Sequence, residues 1–275
     1  MKSFDNRVVA ITGAGSGIGR ALAVDLAGRG ALLALSDVSA DGLAETVDLV
    51  KAAGVREVRS DVVDVASADA LASWAEDVVG QLGRVNVLIS NAGVSLTGEV
   101  ADLDPTDMEW IVGINFWGVV NGTRAFLPHL IASGEGHVVT MSSLFGLLSI
   151  PGQSMYNATK YAVRGFSESL REELLMAGHP VGVTVVHPGG IRTAIARNAQ
   201  TVGGDQATHA AFFDKHLART SAEDAAAVIL DGMLAHKPRV LIGMDAKLLD
   251  ALVRVTGAGY QRLVTRTVAR TPTRR

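Results

Sequence analysis

The sequence predicts an α/β fold: a single domain built on a doubly wound, mostly parallel sheet with helices on both faces. Three observations carry this expectation. Short apolar blocks bounded by Gly, Asp or Asn recur at 8–11, 31–35, 85–89, 138–139 and 181–186. Strands covered on both faces read as such continuous apolar runs. Between them lie stretches of helical periodicity at 17–29, 40–53, 67–82, 105–130, 156–177 and 221–236, so strand and helix alternate. The 275 residues are 48% hydrophobic and 19% charged, with no low-complexity linker and no internal repeat, so one large core is expected.

The element ends carry their own chemistry. Ser39 and Ser67 precede helical stretches as N-caps, and Ser221-Ala-Glu-Asp opens a helix with acid in its first turn. Gly30, Gly54, Gly83 and Gly178 stand just past helix ends, where a left-handed residue is often needed. Two segments break the rhythm. Residues 190–220 have poor strand or helix pattern and contain Gly203-Gly204, which marks a functional or mobile lid. Residues 245–253 look helical, with Leu248, Leu249, Leu252 and Val253 on an apolar side. The main domain is therefore placed at 1–245, with a helical extension and basic tail at 246–275. Residues 262–275 hold five arginines and no acid, which reads as a solvated tail or as a contact for an anionic partner or membrane surface.

Composition excludes several function classes. Lys and Arg number 25 against 28 Asp and Glu, a net charge of −3, so no global field attracts nucleic acid. Without cysteine there are no disulfides, Cys-based zinc sites or thiol catalysis. No apolar run reaches the roughly 18 residues of a membrane span, and 1–7 lack the apolar stretch of a signal peptide. The default location is cytoplasmic.

The first strand ends in Thr12-Gly13-Ala14-Gly15-Ser16-Gly17-Ile18-Gly19, and a helix follows. Glycines at such a turn let the backbone approach a pyrophosphate, while the helix N-terminus offers free N–H groups and a positive dipole end. Asp37 ends the second apolar block, 18 residues beyond Gly19. Two readings of it stand: a carboxylate that accepts both adenine-ribose hydroxyls and repels a 2′-phosphate, or a cap of the turn. The first selects NAD(H) over NADP(H), and no basic residue follows in Val38-Ser39-Ala40.

Tyr156 and Lys160 are spaced i, i+4 near a helix start and share one face. A nearby ammonium stabilises a phenolate, so Lys160 is expected to lower the Tyr156 pKa from its ordinary value near 10. Tyr156 then serves as acid toward a carbonyl or base toward an alcohol. In isolation the pair also fits a surface helix. Ser143 lies 13 residues before Tyr156, at the end of an apolar strand, where a hydroxyl meets ligands or serves the turn.

With these residues in place the sequence resembles the short-chain dehydrogenase/reductase family, a Rossmann-fold group of NAD(P)-binding oxidoreductases. The resemblance spans about residues 6–244. It rests on Thr12-Gly13-x-x-x-Gly17-x-Gly19, Asp61-Val62, Asn91-Ala92-Gly93, Asn115-x-x-Gly118, Ser143, Tyr156-x-x-x-Lys160 and Pro188-Gly189-x-x-x-Thr193. It implies a seven-stranded sheet. It also implies that Gly13, Ser16, Gly17, Ile18 and Gly19 cradle the cofactor, that Asp61 and Val62 meet its adenine, and that Asn91, Ala92 and Gly93 run along it. Pro188, Gly189, Ile191 and Thr193 would position the carboxamide. Asn115 would hold a water through a distorted helix, and Lys160 would bind the nicotinamide ribose. All four catalytic positions, Asn115, Ser143, Tyr156 and Lys160, match.

The implied chemistry is reversible hydride transfer between NAD(H) and a secondary alcohol or ketone. Ser143 would hold the substrate oxygen, and the proton would leave through ribose, Lys160 and water at Asn115. Val94, Leu96, Leu144, Phe145, Leu147, Leu148, Met155, Ile191, Ile195, Phe212 and Phe213 suggest an apolar substrate, although core packing claims some of them. Two alternatives differ in class: a cofactor-binding regulator without turnover, and an epimerase or dehydratase on the same scaffold. Family likeness further implies a homodimer or homotetramer through the helices at 105–130 and 156–177. The C-terminal extension puts the usual tetramer in doubt.

Overall fold

The computed structural model describes residues 1–268; of the basic tail, 269–275 lie outside the described residues. The chain begins β1 (Val8–Thr12), α1 (Gly17–Gly28), β2 (Leu32–Asp37), α2 (Ala40–Ala52), β3 (Val58–Val62), α3 (Ala68–Leu82) and β4 (Val87–Ser90). A short β5 (Leu96–Thr97), α4 (Pro105–Val112), a π-helical turn (Gly113–Trp117) and α5 (Gly118–Ala132) follow. Next come β6 (Gly136–Met141), a 3-10 turn (Leu144–Gly146), α6 (Ser154–Met176), β7 (Val181–Pro188) and β8 (Gln200–Thr201). The remainder is α7 (Gln206–His216), α8 (Ala222–Leu234), β9 (Arg239–Ile242), α9 (Met244–Thr256) and α10 (Tyr260–Val268).

Seven strands form one sheet in the order β3-β2-β1-β4-β6-β7-β9, with every pairing parallel. Period-two alternation divides its side chains between two cores. Val9 and Ile11 of β1 join Leu22 and Leu26 of α1 and Ile229 and Leu230 of α8 on one face. Val8 and Ala10 join Leu71 and Trp74 of α3, Phe126 of α5 and Leu170 of α6 on the other. Helices thus cover both faces, which is why β1, β4 and β6 are buried along their whole length.

The expected caps are in place. The hydroxyls of Ser39, Ser67 and Ser221 accept from the amides of Gly42, Ala70 and Asp224. Strand β3 did not stand out in the sequence because an edge strand need not be apolar: Arg59, Ser60 and Asp61 occupy its middle. The segment 190–220 is more ordered than its pattern suggests. It contains α7, capped by Asp205, and β8, which pairs in parallel with β5. The helical stretch at 105–130 is broken into α4, the π turn and α5. No helix among the described residues is long and apolar enough to cross a membrane.

The direction of winding reverses between β1 and β4. The chain leaves β1 toward β2 and β3, then returns to the other side of β1 as β4. Crevices for ligands open at such a point, outside the carboxyl ends of the strands.

Candidate active site

The β1–α1 turn lies in this crevice. Its glycines are fixed by lack of space. A Cβ on Gly19 would stand 2.1 Å from the Gly13 carbonyl oxygen and 2.6 Å from Asn91 Nδ2. One on Gly13 would stand 2.7 Å from Ala92 Cα, and Gly13 and Gly17 also hold φ of +66° and +53°. Asn91 follows β4 and ties the turn to it, its Nδ2 donating to the carbonyls of Thr12 and Gly13, both at 3.0 Å. Thr12 Oγ1 accepts from the amides of Asn91 and Ala92 at 3.1 Å. Thr193 closes the far side, its Cγ2 lying 3.2 Å from where a Gly17 Cβ would be.

Asp37 reaches the same turn from β2. Its Oδ2 accepts from the Gly15 amide at 2.8 Å and its Oδ1 from the Ser39 amide at 3.0 Å. The carboxylate therefore caps the turn while standing at the crevice. Asp61, at the end of β3, is held by Arg59 at 2.6 and 2.7 Å and by Trp74 Nε1 at 3.1 Å. Val62 beside it is exposed.

The second half of the crevice holds the four remaining polar groups. Ser143 follows β6 and its Oγ accepts from the Phe145 amide at 3.1 Å, so it also serves the turn. Its hydroxyl lies near enough to the Tyr156 phenol to favour the phenolate. Tyr156 and Lys160 lie on α6 and are almost fully buried. Lys160 Nζ donates to the Met141 carbonyl at 3.0 Å and sits 5.6 Å from the centre of the Tyr156 ring. Asn115 occupies the π turn. Its Oδ1 accepts from the Val94 amide at 2.8 Å, while its Nδ2 donates to the Val94 carbonyl at 2.9 Å and to Thr159 Oγ1 at 3.3 Å. Gly93 leaves room for both: a Cβ there would lie 3.2 Å from Asn115 Oδ1 and 3.4 Å from Lys160 Nζ. The run 91–93 thus links the glycine turn to the Tyr156 group.

The family model for short chain dehydrogenases matches residues 7–202. The chain belongs to the short-chain dehydrogenase family. Among curated proteins, it is 55% identical over 271 residues to SadH of Mycobacterium tuberculosis, covering 98% of each chain. Among solved structures, a short chain dehydrogenase/reductase from Burkholderia phymatum in complex with NAD superposes with a TM-score of 0.86 at 30% identity, covering 100% of this chain and 99% of that one. A short chain dehydrogenase from Mycobacterium paratuberculosis bound to NAD gives 0.78 at 28% identity, covering 90% and 99%.

The electrostatics of this short-chain dehydrogenase depart from the sequence expectation at one point. Burial pushes the Tyr156 phenol above its ordinary pKa, and the nearby Ser143 hydroxyl only opposes this. Lys160 was expected to lower it. Instead the ammonium lies over the ring, bound to a carbonyl, and burial draws its own pKa down to about 8. Taking a charge out of water outweighs the attraction at this separation.

Several contributors gave no readable sign in the sequence. His187, the last residue of β7 before Pro188, has its Nδ1 2.9 Å from the Ser143 carbonyl and so donates to it; burial lowers its pKa to about 4. Asp245 of α9 accepts from the Gly190 amide at 2.8 Å, holding the turn after Pro188-Gly189. Neither residue forms a spacing motif; only the parallel pairing of β6, β7 and β9 brings them here. Ile191 is buried and bridges to Thr220. Of the apolar residues named above, Leu96, Leu144, Leu147 and Leu148 are buried, whereas Val94, Phe145 and Met155 remain partly open beside Tyr156. Arg192 is exposed, and Arg197 pairs with Asp214 of α7 at 2.7 Å.

Proposed function

We propose that the protein is an NAD(H)-dependent oxidoreductase acting on secondary alcohols and ketones with apolar bodies. What carries this reading is the Tyr156 phenol with Lys160 over its ring and Ser143 nearby, buried at the carboxyl edge of the sheet and linked through 91–93 to a glycine turn. That turn fits a dinucleotide. Its glycines let the backbone fold closely against Asp37, Asn91 and Ala92 at the N-terminus of α1, where free amides and the helix dipole favour a phosphate. Gly13, Ser16, Gly17, Ile18 and Gly19 would hold the pyrophosphate, Asp37 the adenine ribose, and Asp61 and Val62 the adenine edge. Asn91, Ala92 and Gly93 would follow the cofactor inward. Pro188, Gly189, Ile191 and Thr193 would meet its nicotinamide end. NAD bound to the two solved relatives supports a nicotinamide cofactor, and the carboxylate of Asp37 at the crevice supports NAD over NADP.

The nicotinamide supplies or accepts the hydride; the chain's own residues manage the proton and the substrate oxygen. Ser143 donates a hydrogen bond to that oxygen. A phenol with a raised pKa is protonated at neutral pH, so Tyr156 is set as the acid toward a ketone. Lys160, with a pKa near 8, is still charged at pH 7 and stabilises the phenolate left behind. Asn115 fixes Val94 and the π turn beside Lys160. Val94, Phe145 and Met155 favour uncharged substrate bodies. A regulator without turnover would need no such proton-handling group. Self-association through α5 and α6 belongs to the same reading, with Trp117 and Tyr161 exposed beside them.

The test compares NADH and NADPH in turn with a panel of ketones and carboxylated substrates, using the wild type and Tyr156→Phe. Turnover of apolar ketones with NADH is expected. The variant should keep its NADH affinity within about twofold and lose at least about 100-fold in kcat. Undiminished turnover in the variant, or turnover of carboxylates alone, would refute the reading.

A further inference from the structure

The loop between Ser143 and Tyr156 forms one side of the crevice, and something must hold it. Its first turn places Phe145 against Tyr156, with ring centres 6.2 Å apart and planes at 84°. Phe145 is shared between two apolar clusters. One contains Tyr156, Leu96 and Met155. The other contains Leu144, Leu148 and, from the C-terminal helices, Leu249, Val253, Tyr260 and Val264. The loop wall is therefore backed directly by α9 and α10.

One polar contact fixes that backing. The Tyr260 hydroxyl accepts from the Ser149 amide at 3.0 Å. Tyr161, the neighbour of Lys160 on α6, lies beside both the Tyr260 phenol and Ser149. Tyr260 is buried although it opens a helix whose next three residues are exposed. A buried tyrosine hydroxyl joined to a loop amide holds that loop at a defined height. At the other end of α9, Asp245 holds the turn after Gly189. The C-terminal helices thus grip the crevice on both sides.

We infer that Tyr260 is a positioning residue that sets substrate selectivity: it holds Ser149, and through Phe145 the wall facing Tyr156, so that the C-terminal helices limit the size of the substrate body. The inference rests on the dehydrogenase reading for the identity of the substrate, but not for the mechanical link. Small ketones do not reach the wall and depend on Ser143 and Tyr156 alone. Larger ketones press on Phe145 and depend on how firmly the loop is held.

The experiment uses the full chain and Tyr260→Phe, which removes the hydroxyl and keeps the ring. Hydrogen exchange at the Ser149 amide should quicken by about 3- to 10-fold, as expected for one lost hydrogen bond. NADH affinity and kcat for a small ketone should stay within about twofold, while kcat/KM for a large aryl ketone relative to the small one should change by about threefold or more, through KM. An unchanged size ratio in an active enzyme overturns the inference, whatever the exchange shows. If the wild type turns over no ketone or alcohol, the dehydrogenase reading fails, and exchange at Ser149 alone decides: protection equal to the wild type overturns the link.

Discussion

Lys160 combines a buried charge with a proposed part in turnover, and Lys160→Met separates the two. The side chain is 4% exposed, and burial lowers its pKa from 10.5 to about 8. That fall corresponds to about 3 kcal/mol by which the charged form is less welcome in the folded protein than in the unfolded chain. The substitution also loses the bond to the Met141 carbonyl, worth about 1 kcal/mol. The net expectation at pH 7 is a variant about 2 kcal/mol more stable, or about 5 °C higher in Tm, yet severely impaired in turnover. The pH dependence follows from the same two values. Below pH 8 both folded and unfolded wild type hold the proton, and the cost is fully present. Between pH 8 and 10.5 the unfolded chain holds more protons, so the wild type gains stability as pH rises. The gap should therefore narrow on going from pH 7 to pH 9.5. Scanning calorimetry of both proteins at the two pH values measures it. A variant less stable than the wild type at pH 7, or a gap that does not narrow, would refute the account of Lys160 as a costly buried cation.

Two further expectations concern the cofactor cradle. Gly19→Ala places a methyl group 2.1 Å from the Gly13 carbonyl, so the turn must open; NADH affinity, read by fluorescence titration, should fall by at least about tenfold, and an unchanged Kd would mean that this turn holds no cofactor. Asp37→Ala removes the carboxylate that would oppose a 2′-phosphate. The ratio of NADPH to NADH in kcat/KM should rise by about tenfold or more, with a slightly lower Tm from the lost bonds to the Gly15 and Ser39 amides. A constant ratio would remove Asp37 from cofactor choice.

Local chemistry was legible where a residue type answers to its own neighbours. The apolar blocks became the central strands because both faces are covered, and the serine caps and end glycines required only their own helix. The glycine turn and the Tyr156–Lys160 pair were readable because both are short-range spacings on one element. Strand β3 was obscured because an edge strand carries Arg59 and Asp61 for each other and for Trp74. Helix α7 was obscured because it rests on little of the core, only Ala210 within it being buried.

Sequence alone determined the alternation of strand and helix and the glycine turn after β1, because periodicity and turn chemistry act over a few residues. Tertiary structure decided what those side chains experience. The sign of the Tyr156 shift depends on how much water is excluded from around the phenol, and the sequence spacing to Lys160 does not report that. The contacts of His187 with Ser143, of Asp245 with Gly190 and of Tyr260 with Ser149 span 44, 55 and 111 residues. Each exists only because parallel strands and the helices packed on them bring distant chain to one edge of the sheet.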